Sequence, residues 1–130
     1  MQVAKLMTPD PIAIGPREPL AIAKAIMDKG GFRRLPVVEN GNLIGILTER
    51  DMREHSGYLE STLVDAAMRT KLITVAPSDS VDDAARLMLK YKIGGLPVIA
   101  EGRLAGIVTA TDLLRAFLTM LQSTRQIMRG

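Results

Sequence analysis

The chain has no cysteine and no tryptophan, one histidine, two phenylalanines and two tyrosines. Without cysteine there are no disulfides, thiol nucleophiles, zinc ribbons or iron–sulfur clusters. The lone His55 leaves a histidine-based metal centre without partners, and no Ser–His–Asp arrangement is evident around it. Aromatic side chains this sparse speak against stacking on nucleic-acid bases as a primary task. No phosphate-loop lysine motif occurs. No stretch approaches the ~20 apolar residues that span a bilayer. The start, Met-Gln-Val-Ala-Lys, lacks the apolar run of a secretory signal. The expectation is a cytoplasmic protein with no membrane partner.

Charge of one sign is also lacking over most of the chain. Residues 1–112 balance at fourteen bases and fourteen acids, and the net +3 comes from Arg115, Arg125 and Arg129 near the end. A balanced body has no broad positive field, which argues against a nucleic-acid partner. What is present is 130 residues, 47% apolar and 24% charged, the profile of one ordinary globular domain.

An internal repeat organises it. Shifted by 61 residues, positions 2–54 fall on 63–115 without a gap, and 16 of the 53 pairs are identical. Among them are Met7 with Met68, Met27 with Met88, Leu35-Pro36-Val37 with Leu96-Pro97-Val98, and Gly45, Thr48 and Asp51 with Gly106, Thr109 and Asp112. The fold must therefore be read as two copies of one unit. The boundaries predicted are a first repeat over 2–54, a linker over 55–62, a second repeat over 63–115 and a C-terminal helical extension over 116–130.

Each copy reads alike. A helical turn ends at Met7 or Met68, and a short strand follows at 12–14 or 73–75. An amphipathic helix comes next. In the second copy Val81, Ala84, Met88 and Tyr91 form its buried stripe and Ser80 its N-cap. In the first copy Pro19 can take the first helical position and Gly30-Gly31 ends the helix. Two apolar strands follow, 35–39 with 43–48 and 96–100 with 104–109, joined around Asn40-Gly41 and Glu101-Gly102. Asn-Gly marks a hairpin turn, since both of its residues take positive φ. A helix then begins after Thr48 or Thr109. The unit is β-α-β-β-α and the class α+β.

The run 43–47 is apolar throughout, as in a strand covered on both faces. A unit of ~60 residues buries too little surface to stand alone. The expected architecture is two tandem repeats packed sheet to sheet with pseudo-twofold symmetry, leaving a cleft for each copy.

The chemistry-bearing residues are few. Thr48-x-x-Asp51 and Thr109-x-x-Asp112 stand where a strand gives way to a helix. Thr followed three residues later by an acid forms a capping box. The same geometry can receive a ligand. Free N–H groups at a helix start attract phosphate, and a carboxylate one turn in can accept ribose hydroxyls. Gly45 and Gly106 let a ligand or a backbone come close. Both readings stand on the sequence alone. Arg33 and Arg34 precede the Leu-Pro-Val strand and could grip phosphate oxygens, with Arg50 near the same strand end, or form a solvated surface pair. Copy two has Gly94 and Gly95 there, offering room in place of charge. The first copy then suits the more highly charged ligand. Asp79, Asp82 and Asp83 suit a helix start, and the paired methionines suit core filling. The last helix overruns its counterpart from about Phe117. Of its stripe of Leu113, Leu114, Phe117, Leu118, Leu121 and Ile127, part is expected to pack on the unit's own sheet and the overrun to make an oligomer contact.

Together the strand at 73–75, Leu-Pro-Val at 35–37 and 96–98, and Gly-x-x-Thr-x-x-Asp at 45–51 and 106–112 resemble a tandem pair of cystathionine β-synthase (CBS) domains, a Bateman module. The resemblance covers residues 2–115. It implies a regulatory module, without catalytic activity or cofactor, binding AMP, ADP or ATP, and in some members S-adenosylmethionine or NAD. Such modules often form dimers, so a homodimer is expected. It further implies that Thr48 with Asp51 and Thr109 with Asp112 meet phosphate and ribose. Ala13 and Phe32, and Thr74 and Ile93, would flank the base, and Arg33 and Arg34 would meet phosphates. A module of this kind acts on a protein target, which the sequence does not identify. The alternative is a structural dimerisation module whose clefts are filled by its own side chains.

Overall fold

A computed structural model describes residues 1–129, so the final Gly130 of the expected extension lies outside the described residues. A 3-10 turn at Val3–Lys5 leads to β1 (Thr8–Pro9) and α1 (Leu20–Gly30). The hairpin of β2 (Arg34–Glu39) and β3 (Asn42–Thr48) runs into α2 (Glu49–Arg53) and the short α3 (Val64–Ala67). The second copy supplies α4 (Val81–Tyr91), β4 (Gly95–Ala100), β5 (Arg103–Thr109) and the long α5 (Ala110–Arg129). The class is α+β, built from tandem repeats.

The chain forms two compact units. The first holds residues 11–72 and 102–104. Its β2 and β3 pair antiparallel, with Leu35 opposite Leu47, and the register shifts between Val37 and Val38. The turn is as the Asn-Gly signal requires, with φ of 53° at Asn40 and 81° at Gly41. Ile14 forms a parallel bridge to Val37. Around this sheet Leu20, Ala23, Met27, Leu35, Val37 and Leu47 form a buried core that also takes in Val64.

Among the described residues the second unit holds 1–10, 73–101 and 105–129. Its sheet runs β1-β5-β4, with Thr8 opposite Ile107 and Pro9 opposite Gly106. Val75 repeats the parallel bridge, to Val98. Ser80 caps α4 by accepting from the Asp83 N–H at 3.1 Å. Val3, Val75, Ala84, Met88, Leu96, Val98 and Val108 make its core.

The compact units thus exchange short segments relative to the repeat. Residues 1–10 pack with the second copy and residues 63–72 with the first. Val3 and its repeat partner Val64 are both fully buried in these settings. Backbone bonds fix the exchange. Val3 N–H donates to Asp79 O and Val81 N–H to Met1 O, while Val64 N–H donates to Glu18 O.

Three local expectations are corrected. Pro19 is the N-cap of α1, not its first helical residue, with φ −70° and ψ 150°. Its bridge to Leu63 holds it extended. The strands expected at 12–14 and 73–75 each shrink to a single rung, at Ile14 and at Val75. Tyr91, the last residue of α4, is 39% exposed with the Lys90 ammonium 5.3 Å from its ring centroid, and Leu87 packs on the core. Among the described residues no helix is long and apolar enough to cross a membrane.

Candidate functional site

Each strand-to-helix junction is set by its threonine. Thr48 is extended, at φ −113° and ψ 159°, and α2 begins at the next residue. Its hydroxyl accepts the Asp51 N–H at 3.2 Å, and Asp51 Oδ2 accepts the Thr48 N–H at 3.0 Å. That is a reciprocal capping box. The second copy repeats it, with Thr109 N–H to Asp112 Oδ2 at 2.8 Å and Asp112 N–H to the Thr109 hydroxyl at 3.3 Å. The capping reading of the motif is therefore correct in both copies. Capping engages one carboxylate oxygen of each acid, and a carboxylate offers about four acceptor sites.

The remaining oxygens differ. Asp51 Oδ1 accepts from Arg69 Nε at 2.9 Å. The Asp51 side chain is only 10% exposed and that of Arg69 is 54% exposed. Arg69 is held there by its backbone, which bonds Ile46 in both directions, at 2.9 and 2.8 Å. The matching position in the other copy is Thr8. Among the described residues Oδ1 of Asp112 has no protein partner. Its Oδ2 instead takes a second bond, from the Thr109 hydroxyl at 3.0 Å.

Around Asp51 the first unit gathers positive charge. Arg34 lies opposite Thr48 in the sheet register. Arg33 O accepts the Glu49 N–H at 2.9 Å, which ties the arginine pair to the start of α2. Arg34 is half-buried. Burial, and then the adjacent Arg33, push its guanidinium below its ordinary value, though an arginine so placed keeps its charge at neutral pH. Arg33 and Arg50 are exposed. In the second unit Gly94 takes the place of Arg33, and its carbonyl accepts the Ala110 N–H at 2.9 Å.

The other expected positions scatter more. Ala13 is half-buried and Thr74 exposed, each one residue ahead of the parallel bridge of its unit. Ile93 packs partly on the core of the second unit. Phe32 lies over Gly30 of α1 and lines a groove with Lys24, Asp28 and Glu49. Gly45 and Gly106 do admit a close approach, and the occupants are protein. A Cβ at Gly106 would meet Met7 Sδ at 2.7 Å and Thr8 O at 2.8 Å, and one at Gly45 would meet Met68 Sδ and, at 3.1 Å, Arg69 O.

Arg69 is the residue that sequence reasoning missed. A basic residue facing Thr8 across the repeat was a signal. Reading it required knowing that residues 63–72 pack on the first copy.

Comparison with known proteins shows the family of the chain. The sequence matches the CBS domain family over residues 3–58 and again over 64–119. Inosine-5′-monophosphate dehydrogenase from Staphylococcus aureus is 34% identical over 107 residues, covering 80% of this chain and 22% of the relative. The chain thus spans about a fifth of the length of the curated relatives it matches. Among solved structures, the CBS domain pair of protein MJ0100, in complex with 5′-methylthioadenosine and S-adenosyl-L-methionine, superposes with a TM-score of 0.86 at 30% identity, covering 92% of this chain and 98% of that one. CBSX2 in complex with AMP gives 0.80 at 27% identity, covering 92% and 97%.

Proposed function

The chain belongs to the CBS domain family and carries two copies of the domain, and from that premise we propose that it is a regulatory module for adenosine-containing ligands. AMP, ADP or ATP is the ligand class, and the bound state is passed to a protein partner in the cytoplasm. The observation that carries this reading is the duplicated helix start. In both copies a threonine hydroxyl and a carboxylate with acceptor sites to spare stand one turn apart at a strand end.

In the second copy Thr109 and Asp112 hold the ribose, with Asp112 Oδ1 as the receiving oxygen. Thr74 and Ile93 flank the base, and Gly94 leaves room beside them. In the first copy Thr48 and Asp51 take the same roles, and Ala13 and Phe32 flank the base. Arg33, Arg34 and Arg50 meet the phosphates, and Arg69 joins them. Arg69 gives up Asp51 when a sugar hydroxyl replaces it, and its guanidinium is then free for a phosphate oxygen. The first copy accordingly prefers the ligand with more phosphate. Its regulatory role rests on ligand binding, with no reaction catalysed.

Two other readings have support. The likeness to MJ0100, solved with two sulfur-bearing adenosine compounds, favours S-adenosylmethionine. The capping boxes favour a scaffold whose acids serve only their own backbone. A thermal-shift screen of AMP, ADP, ATP, S-adenosylmethionine and NAD separates them. Adenine nucleotides are expected to raise the melting temperature. A rise with S-adenosylmethionine alone changes the ligand, and no rise with any of the five leaves the scaffold.

A further inference from the structure

The two helix starts carry different charge on one backbone frame. Around Thr48 and Asp51 the first unit places Arg33, Arg34, Arg50 and Arg69, and the 61-residue repeat turns these into Gly94, Gly95, Thr111 and Thr8. Glu49, the first residue of α2, becomes Ala110. Four bases against two acids leave the first start at a formal +2, and Asp112 alone leaves the second at −1. Lys92, which ends α4 where the first copy has Gly31, brings the second to neutrality at most. The backbone beneath is the same. Thr8 stands opposite Ile107 as Arg69 stands opposite Ile46, one repeat apart.

The same difference decides what a ligand must displace. Asp51 Oδ1 is held by Arg69 Nε at 2.9 Å, and the Asp51 side chain is only 10% exposed. A sugar hydroxyl reaches that oxygen by dislodging the guanidinium, and the lost charge-assisted bond is made good only where the ligand supplies an anion of its own. A ligand with a neutral 5′ substituent returns nothing. One with a cationic substituent adds repulsion from the guanidinium groups around it. At the second start nothing has to move, because Asp112 Oδ1 has no partner among the described residues. No guanidinium stands at the four matching positions, and a carboxylate without a paired cation favours a neutral or positive neighbour.

We propose that the two units sort adenosine ligands by the charge of the 5′ substituent, with Arg69 as the specificity-determining residue. The first unit takes the phosphate-bearing ligand. The second takes an adenosine derivative whose 5′ group is neutral or cationic, such as a sulfonium. Both can be bound at once, so the module reads two ligand classes together. AMP, with a single phosphate, is held by the second unit less tightly than the sulfonium compound. The sorting rests on the ligand reading above and adds to it a ligand class for each site.

Amide NMR spectra of the full chain during titration with ATP, adenosine and S-adenosylmethionine test it, since the amides at 48–51 and at 109–112 report each unit separately. ATP is expected to bind the first unit at least ~10-fold more tightly than the second, and S-adenosylmethionine the second at least ~10-fold more tightly than the first. Both sets of shifts should be present when the two are mixed. Arg69→Thr should weaken ATP at the first unit by ~10-fold and leave adenosine undiminished there. Thr8→Arg should weaken S-adenosylmethionine at the second unit by a similar factor. Both residues are exposed, so neither change touches a core, and the amides remote from the helix starts show whether the fold is kept. Competition of ATP and S-adenosylmethionine for one unit overturns the sorting while the ligand reading stands, as do preferences that both substitutions leave unmoved. No shift at either start with any of the three ligands overturns the ligand reading itself, and the sorting with it.

Discussion

In the first unit Asp51 has both oxygens engaged, one by its own helix start and one by Arg69. In the second, Asp112 Oδ1 has no partner among the described residues, and threonine stands where the arginine was. The helical faces part in the same way, with Lys24, Asp28, Glu49 and Arg53 in the first unit where the second has Ala85, Leu89, Ala110 and Leu114. What the copies share is of another kind. The hairpin turns at Asn40-Gly41 and Glu101-Gly102, the capping boxes, the buried Val3 and Val64, and the crowded glycines 45 and 106 recur position for position. A repeat keeps what its backbone cannot do without and varies what solvent, ligand or partner meets. The two copies are one frame with two assignments.

The frame can be broken at its tightest point. Gly106→Ala should destabilise the chain by about 3 kcal/mol in urea unfolding, since the new methyl meets the backbone carbonyl of Thr8 at 2.8 Å. Gly45→Ala should lose only about 1–2 kcal/mol, because the nearest obstacle is the flexible end of Met68 and Arg69 O lies at 3.1 Å. Equal losses would mean that the two crossings are not as different as their distances indicate.

Val3→Ala and Val64→Ala should each cost about 2 kcal/mol, and amide exchange should show which unit loosens. The exchanged segments predict that the change near the N-terminus loosens β4 and β5 and the one at 64 loosens β2 and β3. The opposite pattern would contradict the exchange. Arg69→Ala should change stability by less than ~1 kcal/mol, as for a half-exposed ion pair. In calorimetric titration it should weaken ATP more than adenosine, which sharpens the contrast with the second copy. Breaking the exposed pair of Arg17 with Glu39 should matter least, at no more than ~0.5 kcal/mol.

The repeat, the hairpins, the capping boxes and the order of the helices were legible in the sequence, because each is dictated by residues near one another along the chain. Asn40-Gly41 fixes a turn whatever surrounds it, and Thr48 caps whatever helix follows. The exchange of residues 1–10 and 63–72 was not legible. It is carried by long-range bonds, such as Val3 N–H to Asp79 O, that no local pattern encodes. Arg69 was missed for that reason, and Tyr91 was misplaced because periodicity does not say where a helix stops burying its stripe. The motif at 48–51 was legible as a cap and as a ligand site at once. The capping half is now observed, and the ligand half rests on oxygens the cap leaves over.

That half is tested most directly by titrating AMP calorimetrically into Asp112→Asn, a change that preserves the cap's acceptor and removes the charge. The account predicts a loss of roughly 10–100-fold in affinity at the second copy, with the melting temperature of the ligand-free chain nearly unmoved. An affinity equal to that of the unaltered chain would contradict it, and would leave Asp112 as a helix cap and nothing more.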